Sequence, residues 1–355
     1  MSVAAADAVR DLADLTRADV AYAGGKGANL GELIAATFPV PPGFVVGAPA
    51  YAAFCDGGLR ERIERRLAAV DVEDTAELDR ASAEVRAEVE AEQPPEWLTT
   101  AIRAAYERLV ADEPGAAVAV RSSATAEDTE SASFAGMNET ILNVRGPEAT
   151  LDAVRRCWAS LFGARTVYYR AKRGFGQADM DIAVVVQRQI EAARAGVMFT
   201  IDPASGSRDR LVVEGAFGLG ESVVSGSVSP DRYVVDKRTR AIEGREVRRK
   251  ELAIEAVGEG GTATRELSAA EAEREVLSDE EVGRLADLGI RIETHYGAPQ
   301  DTEWAIDGEG EIWMLQSRPV TASGGEPAAA PGGGGEELVR GLGAAPGVAA
   351  GPVRV

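Results

Sequence analysis

Apolar and polar residues repeat with two different periods along this chain, and the change between them divides it. Residues 24–36, GGKGANLGELIAA, read as a glycine turn feeding a helix, and the proline-marked VPPGFVV that follows returns as an extended segment. From 59 to 112 the apolar positions recur at helical spacing among many charges, which predicts amphipathic helices. AAVAVRSS (116–123) has the pattern of an apolar strand, and 147–173, PEATLDAVRRCWASLFGARTVYYRAKR, returns to helical spacing. From 181 onward strand patterns dominate: DIAVVVQRQI, GVMFTID, RLVVEGAF and DRYVVDK, then a helix from 278 to 295 and a hairpin in which DGEGE joins TEWAI to IWMLQS. The expected fold class is α+β, with a mixed first part and a second part rich in strands. Residues 322–337, ASGGEPAAAPGGGGEE, have the composition of a flexible linker, and 338–355 is apolar but too short for a core of its own.

The DGEGE turn sets a register for the hairpin. Centring it between Glu309 and Gly310 places Glu303 opposite Gln316 and Asp301 opposite Arg318, with all four side chains on one face. Trp304, Ile306, Trp313 and Leu315 then face the core. A carboxylate beside an amide oxygen is a partial shell for Mg2+, which keeps waters and takes its remaining oxygens from substrate phosphates. Arg318 would meet a phosphate beside the metal. A solvent-facing surface closed by an Asp301–Arg318 salt bridge fits the same pattern equally well.

Other segments carry weaker signals. Gly24–Gly27 place backbone amides and Lys26 ahead of a helix N-terminus, where anions are favoured, yet the spacing is not that of a P-loop and an ordinary capping turn explains it. Arg121 reads as an exposed arginine at a strand end, suited to phosphate or to pairing with Glu127 or Asp128. It opens a run of small and polar residues, 121–140, long enough to act as a lid over a ligand. The glycine cluster 215–221 could be a nucleotide turn or simply a turn, and Gln187 and Glu214 sit on strands where a nucleoside edge could be read. His295, at a helix end, reads as structural.

Composition then narrows the classes. The 355 residues carry a formal net charge of −20, which argues against a nucleic-acid partner, and any polyphosphate pocket must gather its cations locally. Lysine stands only at 26, 172, 237 and 250, a balance that suits either a salt-rich cytoplasm or a GC-rich genome. Cys55 and Cys157 are far apart and lack metal-ligand spacing, so disulfides and structural zinc are not expected. The acidic N-terminus is unlike a signal peptide and no run reaches membrane-spanning length, so a cytoplasmic protein without a membrane partner is expected.

In order, GGKGANLGEL, VPPGF, VRSSATAEDTESASFAGMNET, CWASLF, VVVQRQI, GVMFT, EGAFGLGESVVSG, SPDRY, PQDTEWAI and LQSRP resemble the nucleotide-binding domain shared by phosphoenolpyruvate synthase, pyruvate phosphate dikinase and rifampin phosphotransferase. The resemblance implies an ATP-grasp-like domain of two lobes, 1–194 and 195–321, with ATP and Mg2+ between them. It implies phosphate contacts for Lys26 and Arg121, a phosphate lid containing Gly136 and Thr140, and nucleoside contacts for Gln187 and Glu214. Glu303 and Gln316 would hold the metal, with Asp301 and Arg318 beside the transferring phosphates and Arg121 and Arg318 catalytic. In this family ATP phosphorylates a histidine on a swivelling domain, and a synthase passes that group to pyruvate. The one histidine here, His295, lies in the HYGxPQD segment, so the carrier and the pyruvate-binding domain are expected on another chain or in a missing C-terminal part. GLGAAPGVAAGPVRV resembles the opening of that carrier, which favours the synthase branch over an antibiotic-modifying one. A stand-alone ATP-binding module without transfer activity is the other alternative.

Overall fold

The computed structural model describes residues 8–320 apart from 126–127, 130–131, 134–138, 175 and 177–179, with backbone alone for 128–129 and 132–133. Gly136, most of the expected lid, the linker 322–337 and the segment after it lie outside the described residues.

Two antiparallel sheets organise the chain. The first has the strand order Val9–Asp11, Gly43–Val46, Ile182–Arg188, Val118–Ala124, Thr140–Val144. Its central strand, IAVVVQR, is apolar without alternation because both faces are covered. Val184 and Val186 pack with Phe44, Val120 and Trp158 beneath six helices drawn from 48–109 and 147–173, whereas Ala183 and Val185 pack with Val45 and Leu30. The helix expected across 147–173 breaks in two. Pro147–Ala159 runs into a 3-10 turn, Ser160–Phe162, and Ala164–Arg173 restarts after an extended Gly163. The carbonyls freed at the break are taken by other donors, Leu161 O by Arg170 and Phe162 O by Ser82 Oγ.

The second sheet has the order Ile242–Glu246, Asp231–Asp236, Arg210–Phe217, Ala192–Phe199, Gln300–Asp307, Ile312–Pro319. One face buries Met198, Val213, Tyr233 and Trp304 beneath the helix Asp279–Tyr296. That helix begins in a Ser278–Glu281 capping box and ends at a left-handed Gly297, close to its expected bounds. A small ribbon, Leu252–Ala256 with Thr262–Glu266, stands apart from both sheets and is not apparent from the pattern of the chain.

The helix Val20–Ala35 joins the two halves, with Leu30 in the core of the first sheet and Leu33 in that of the second. Its glycine turn is wedged against strand Val118–Ala124: Ser123 Oγ donates to Ala23 O at 2.8 Å and accepts from Gly27 N at 3.3 Å. Gly24 has φ +66°, and a Cβ there would lie 2.2 Å from Ser123 O, so only glycine fits.

The hairpin pairs Glu303 with Gln316 and Asp301 with Arg318, the register expected from its turn. The register shifts between Glu303 and Trp304, leaving Leu315 as an extra residue on its strand. Below this bulge Trp304 and Ile306 face the core as expected, but their partners there are Met314 and Ile312. Trp313 and Leu315, expected in the core, are turned to the other side because one inserted residue inverts the alternation. The turn itself sits half a residue earlier than anticipated, closed by Asp307, whose Oδ1 accepts from Glu309 N and Glu311 N. Bulge and turn offset cancel at the Glu303–Gln316 pair.

Candidate functional site

Between the sheets lies a cleft of about 230 Å3 lined from both sides. The first sheet contributes Ala119, Arg121, Thr140, Leu142 and Gln187, and the second contributes Ala195, Gly196, Glu303, Ala305 and Leu315. The second sheet's side is built by register. Cα partners run across it in one row, Glu246–Arg232–Glu214–Val197–Glu303–Gln316, so these side chains share a face. Asp301 and Arg318 occupy the next row on the same face.

Arg121 crosses the cleft. Strand Val118–Ala124 is paired on both sides at this residue, with Val185 and Thr140, so Arg121 is buried in mid-strand and is not the exposed strand-end arginine expected. Its Nη2 lies 2.5 Å from Glu303 Oε2 and 2.9 Å from Gln316 Oε1, and its Nη1 donates to Leu315 O at 2.7 Å. The bulge residue thus supplies a carbonyl to the same guanidinium that the carboxylate and amide hold. The planar fork suits this three-sided reception, and it compensates the charge that burial would otherwise make costly.

Burial raises the pKa of Asp301, opposed by the Arg318 guanidinium and aided by the charge of Glu303. Arg318 reaches Asp301 Oδ2 with Nε at 2.9 Å and Nη2 at 2.8 Å, forming the cross-strand salt bridge that was one of the two readings of this face. Glu214 is likewise raised by burial, and Arg232, 3.8 Å away, opposes the shift.

The family described as pyruvate phosphate dikinase, AMP/ATP-binding domain, matches residues 20–332. The chain belongs to this family. Among similar proteins are the probable phosphoenolpyruvate synthases of Methanothermobacter thermautotrophicus, 48% identical over 96% of this chain and 50% of the relative, and of Archaeoglobus fulgidus, 47% identical over 97% and 46%. The phosphoenolpyruvate synthase of Pyrococcus furiosus is 38% identical over 96% of this chain and 47% of its own length. The chain spans about half the length of the curated relatives it matches.

Within the stretch that this family covers, the structure gathers Arg121, Thr140, Gln187 and Glu303 around the cleft, with Gln316 in contact with Arg121. Gln187 is buried and donates from Nε2 to Pro41 O at 3.1 Å, which explains the fixed approach of the VPPGF segment. Glu214 stays in the row but outside the lining, two strands from Glu303. Lys26 is half-buried in the glycine turn on Ser123, on the Arg121 face of that strand, and does not line the cleft. The glycine cluster 215–221, read only as a turn candidate, brings Leu219, Gly220 and Glu221 into the lining. The apolar walls at Ala119, Leu142, Ile190, Ala195 and Ala305 were not singled out from the sequence. For Ala195 and Ala305 the one legible signal is a small residue on the strand face opposite Met198 and Trp304. Among the described residues no cluster of three or more His, Cys, Asp or Glu could hold a metal by itself, and no helix is long and apolar enough to cross a membrane.

Proposed function

We propose that the chain is the ATP-binding, phosphoryl-donating part of a phosphoenolpyruvate synthase-like phosphotransferase, with two ATP-grasp-like lobes, 1–194 and 195–321, closing on ATP and Mg2+. The observation that carries this reading is the convergence of Glu303 Oε2 and Gln316 Oε1 on one cationic group, Arg121 Nη2, at the wall of a cleft with a largely apolar surface. Two hard oxygens already disposed about a positive charge fit Mg2+, and phosphate oxygens and water would complete a shell that the protein leaves partial. Bound there, Mg2+ would neutralise the charge of the transferring phosphates.

The chain's own residues then divide the work. Arg121 and Arg318 present guanidinium forks to phosphate oxygens, with Asp301 holding Arg318 in place. The helix Val20–Ala35 is kinked at Gly24, so Lys26 does not precede it as expected but lies in the first turn of its second segment, where the amides after the kink favour anions. Gln187 in the lining serves the nucleoside, with Glu214 further along the Glu303 row of the second sheet's face; the apolar walls exclude water around the base, and Thr140, which opens the first sheet's edge strand beside Arg121, meets a phosphate. His295 is paired with Glu32 Oε1 at 2.8 Å and does not line the cleft; in this reading the phosphoryl acceptor is a histidine of a separate carrier domain, which passes the group to pyruvate.

Calorimetry tests the binding step. Wild-type protein should bind ATP in a Mg2+-dependent way, and Glu303→Ala and Gln316→Ala should each abolish that dependence; unchanged metal dependence in both variants rejects the site. Radiolabelled ATP with a carrier domain in trans should yield labelled phosphohistidine, whereas binding without label would make the chain a nucleotide-binding module.

A further inference from the structure

The ribbon formed by Leu252–Ala256 and Thr262–Glu266 has little hydrophobic reason to keep its place. Every residue from Thr262 to Glu266 is exposed, and in the partner strand only Ala253 is fully buried. A two-stranded ribbon of this kind is marginal in water by itself. It is held instead by polar clips at three levels.

At the root, Lys250 and Asp231 form an ion pair with no exposed surface, Nζ to Oδ1 at 2.6 Å, and Lys250 Nζ also donates to Arg274 O at 2.7 Å. Midway, Leu219 N donates to Ile254 O at 2.8 Å. Gly218 makes that approach possible, since its φ is +77° and a Cβ would lie 2.4 Å from Ile254 O. At the tip the ribbon meets the edge strand of the first sheet at Asn143. The Asn143 Nδ2 donates to Val257 O at 2.5 Å and to Gly261 O at 2.7 Å, and its own carbonyl accepts from Gly261 N at 3.0 Å. Its backbone N–H donates to Gln189 Oε1 at 2.5 Å, and its Oδ1 accepts from Arg145 Nε at 3.1 Å. The residue is fully buried at φ +53°, a left-handed conformation that asparagine tolerates and most residues do not.

These clips end on opposite walls of the cleft. Leu142 and Gln189, adjoining the Asn143 clip, line it from the first sheet, and Leu219, Gly220 and Glu221, tied to Ile254, line it from the other side. We propose that the ribbon 252–266 is a strap that sets the spacing between the two walls of the cleft, and that Asn143 is its clasp, a positioning residue for whatever occupies the cleft. The strap's effect on nucleotide affinity rests on the ATP reading above; its mechanical coupling of the walls does not.

Asn143→Gly isolates the clasp, because glycine accepts φ +53° while the two side-chain donors are lost. In the full chain, amide hydrogen exchange should speed up at 257–261 and also at 218–221 on the far wall, and Mg-ATP should bind about tenfold more weakly, the effect of losing buried hydrogen bonds to an ordered partner. Asn143→Asp, which turns oxygens toward the two carbonyls, should do at least as much. A merely local stabilising role would leave 218–221 unchanged, so faster exchange confined to 257–261, or wild-type affinity in Asn143→Gly, overturns the proposal. If Asn143→Gly does not fold, replacing 257–261 by a two-residue Asn-Gly turn removes both acceptor carbonyls without touching the first sheet, and it should likewise speed exchange at 218–221 and weaken Mg-ATP binding. If the wild type binds no Mg-ATP, the nucleotide reading falls, and the exchange at 218–221 still decides the strap.

Discussion

Two ion pairs in this protein use similar charges in different surroundings. Asp231–Lys250, beneath the strap, is wholly buried, and backbone groups complete it: Arg248 N and Val276 N donate to the carboxylate at 2.9 and 2.8 Å, and Arg274 O takes the ammonium. Arg121–Glu303 sits at the cleft with side chains 10% and 22% exposed, its other partners an amide side chain and the carbonyl of a bulge. The first pair has no exposed surface and is held by three backbone groups, with the Phe217 ring centroid 5.7 Å from the ammonium. The second lines the cleft, so one side of it faces open space and not packed backbone. Enclosure, and not charge, separates the pair sealed in the interior from the pair that borders the cleft.

The largest effect expected from this contrast is on stability. Asp231→Ala strands the Lys250 ammonium in the interior and should cost about 3–5 kcal/mol, read from urea denaturation midpoints. A midpoint close to wild type would mean that water reaches the pair and would erase the distinction. Arg121→Ala should cost less, about 1–2 kcal/mol, because Glu303 keeps contact with the cleft, yet it should weaken Mg-ATP binding about tenfold to a hundredfold by calorimetry. Equal stability losses in the two variants would again break the comparison.

The smallest expected effect concerns pH. Burial raises the pKa of Glu214 above its ordinary value, against the opposing charge of Arg232. In the window between the unfolded and the raised folded value the native state holds more protons than the unfolded chain, so stability falls as pH rises through it. Glu214→Gln should flatten that part of the curve in thermal melts taken across the acidic range. An unaltered slope would assign the dependence to other carboxylates, Asp301 first among them.

Much of the site was legible because it is local. The pairing of Glu303 with Gln316 follows from a turn only a few residues away, and strand alternation then places Asp301 and Arg318 on the same face. The glycine turn at 24–27 was legible for the same reason. The error at Trp313 and Leu315 marks the limit of that reasoning, since nothing in IWMLQSRP announces a bulge. The carbonyl of Leu315 accepts from Arg121, nearly two hundred residues earlier in the chain, and that partner is invisible to a local pattern. Asn143 escaped notice for a similar reason, as an asparagine inside a short strand shows no sign of its left-handed backbone or of the distant carbonyls it binds.

Read along the chain alone, the residues specify the α+β character, the face of the hairpin that carries Asp301, Glu303, Gln316 and Arg318, and the family to which the ordered segments belong. These depend on periodicity, turn chemistry and order, all of which act over a few residues or are written directly in the chain. Folding in three dimensions alone brought Arg121 across the cleft to that hairpin, lined the cleft with Ala119, Leu142, Ile190, Ala195 and Ala305, sealed one ion pair and left the other at the cleft, and joined the walls by a strap at Asn143. Each of these comes from contacts between residues far apart in the chain, made by packing two sheets around a shared helix, and local preferences do not encode them.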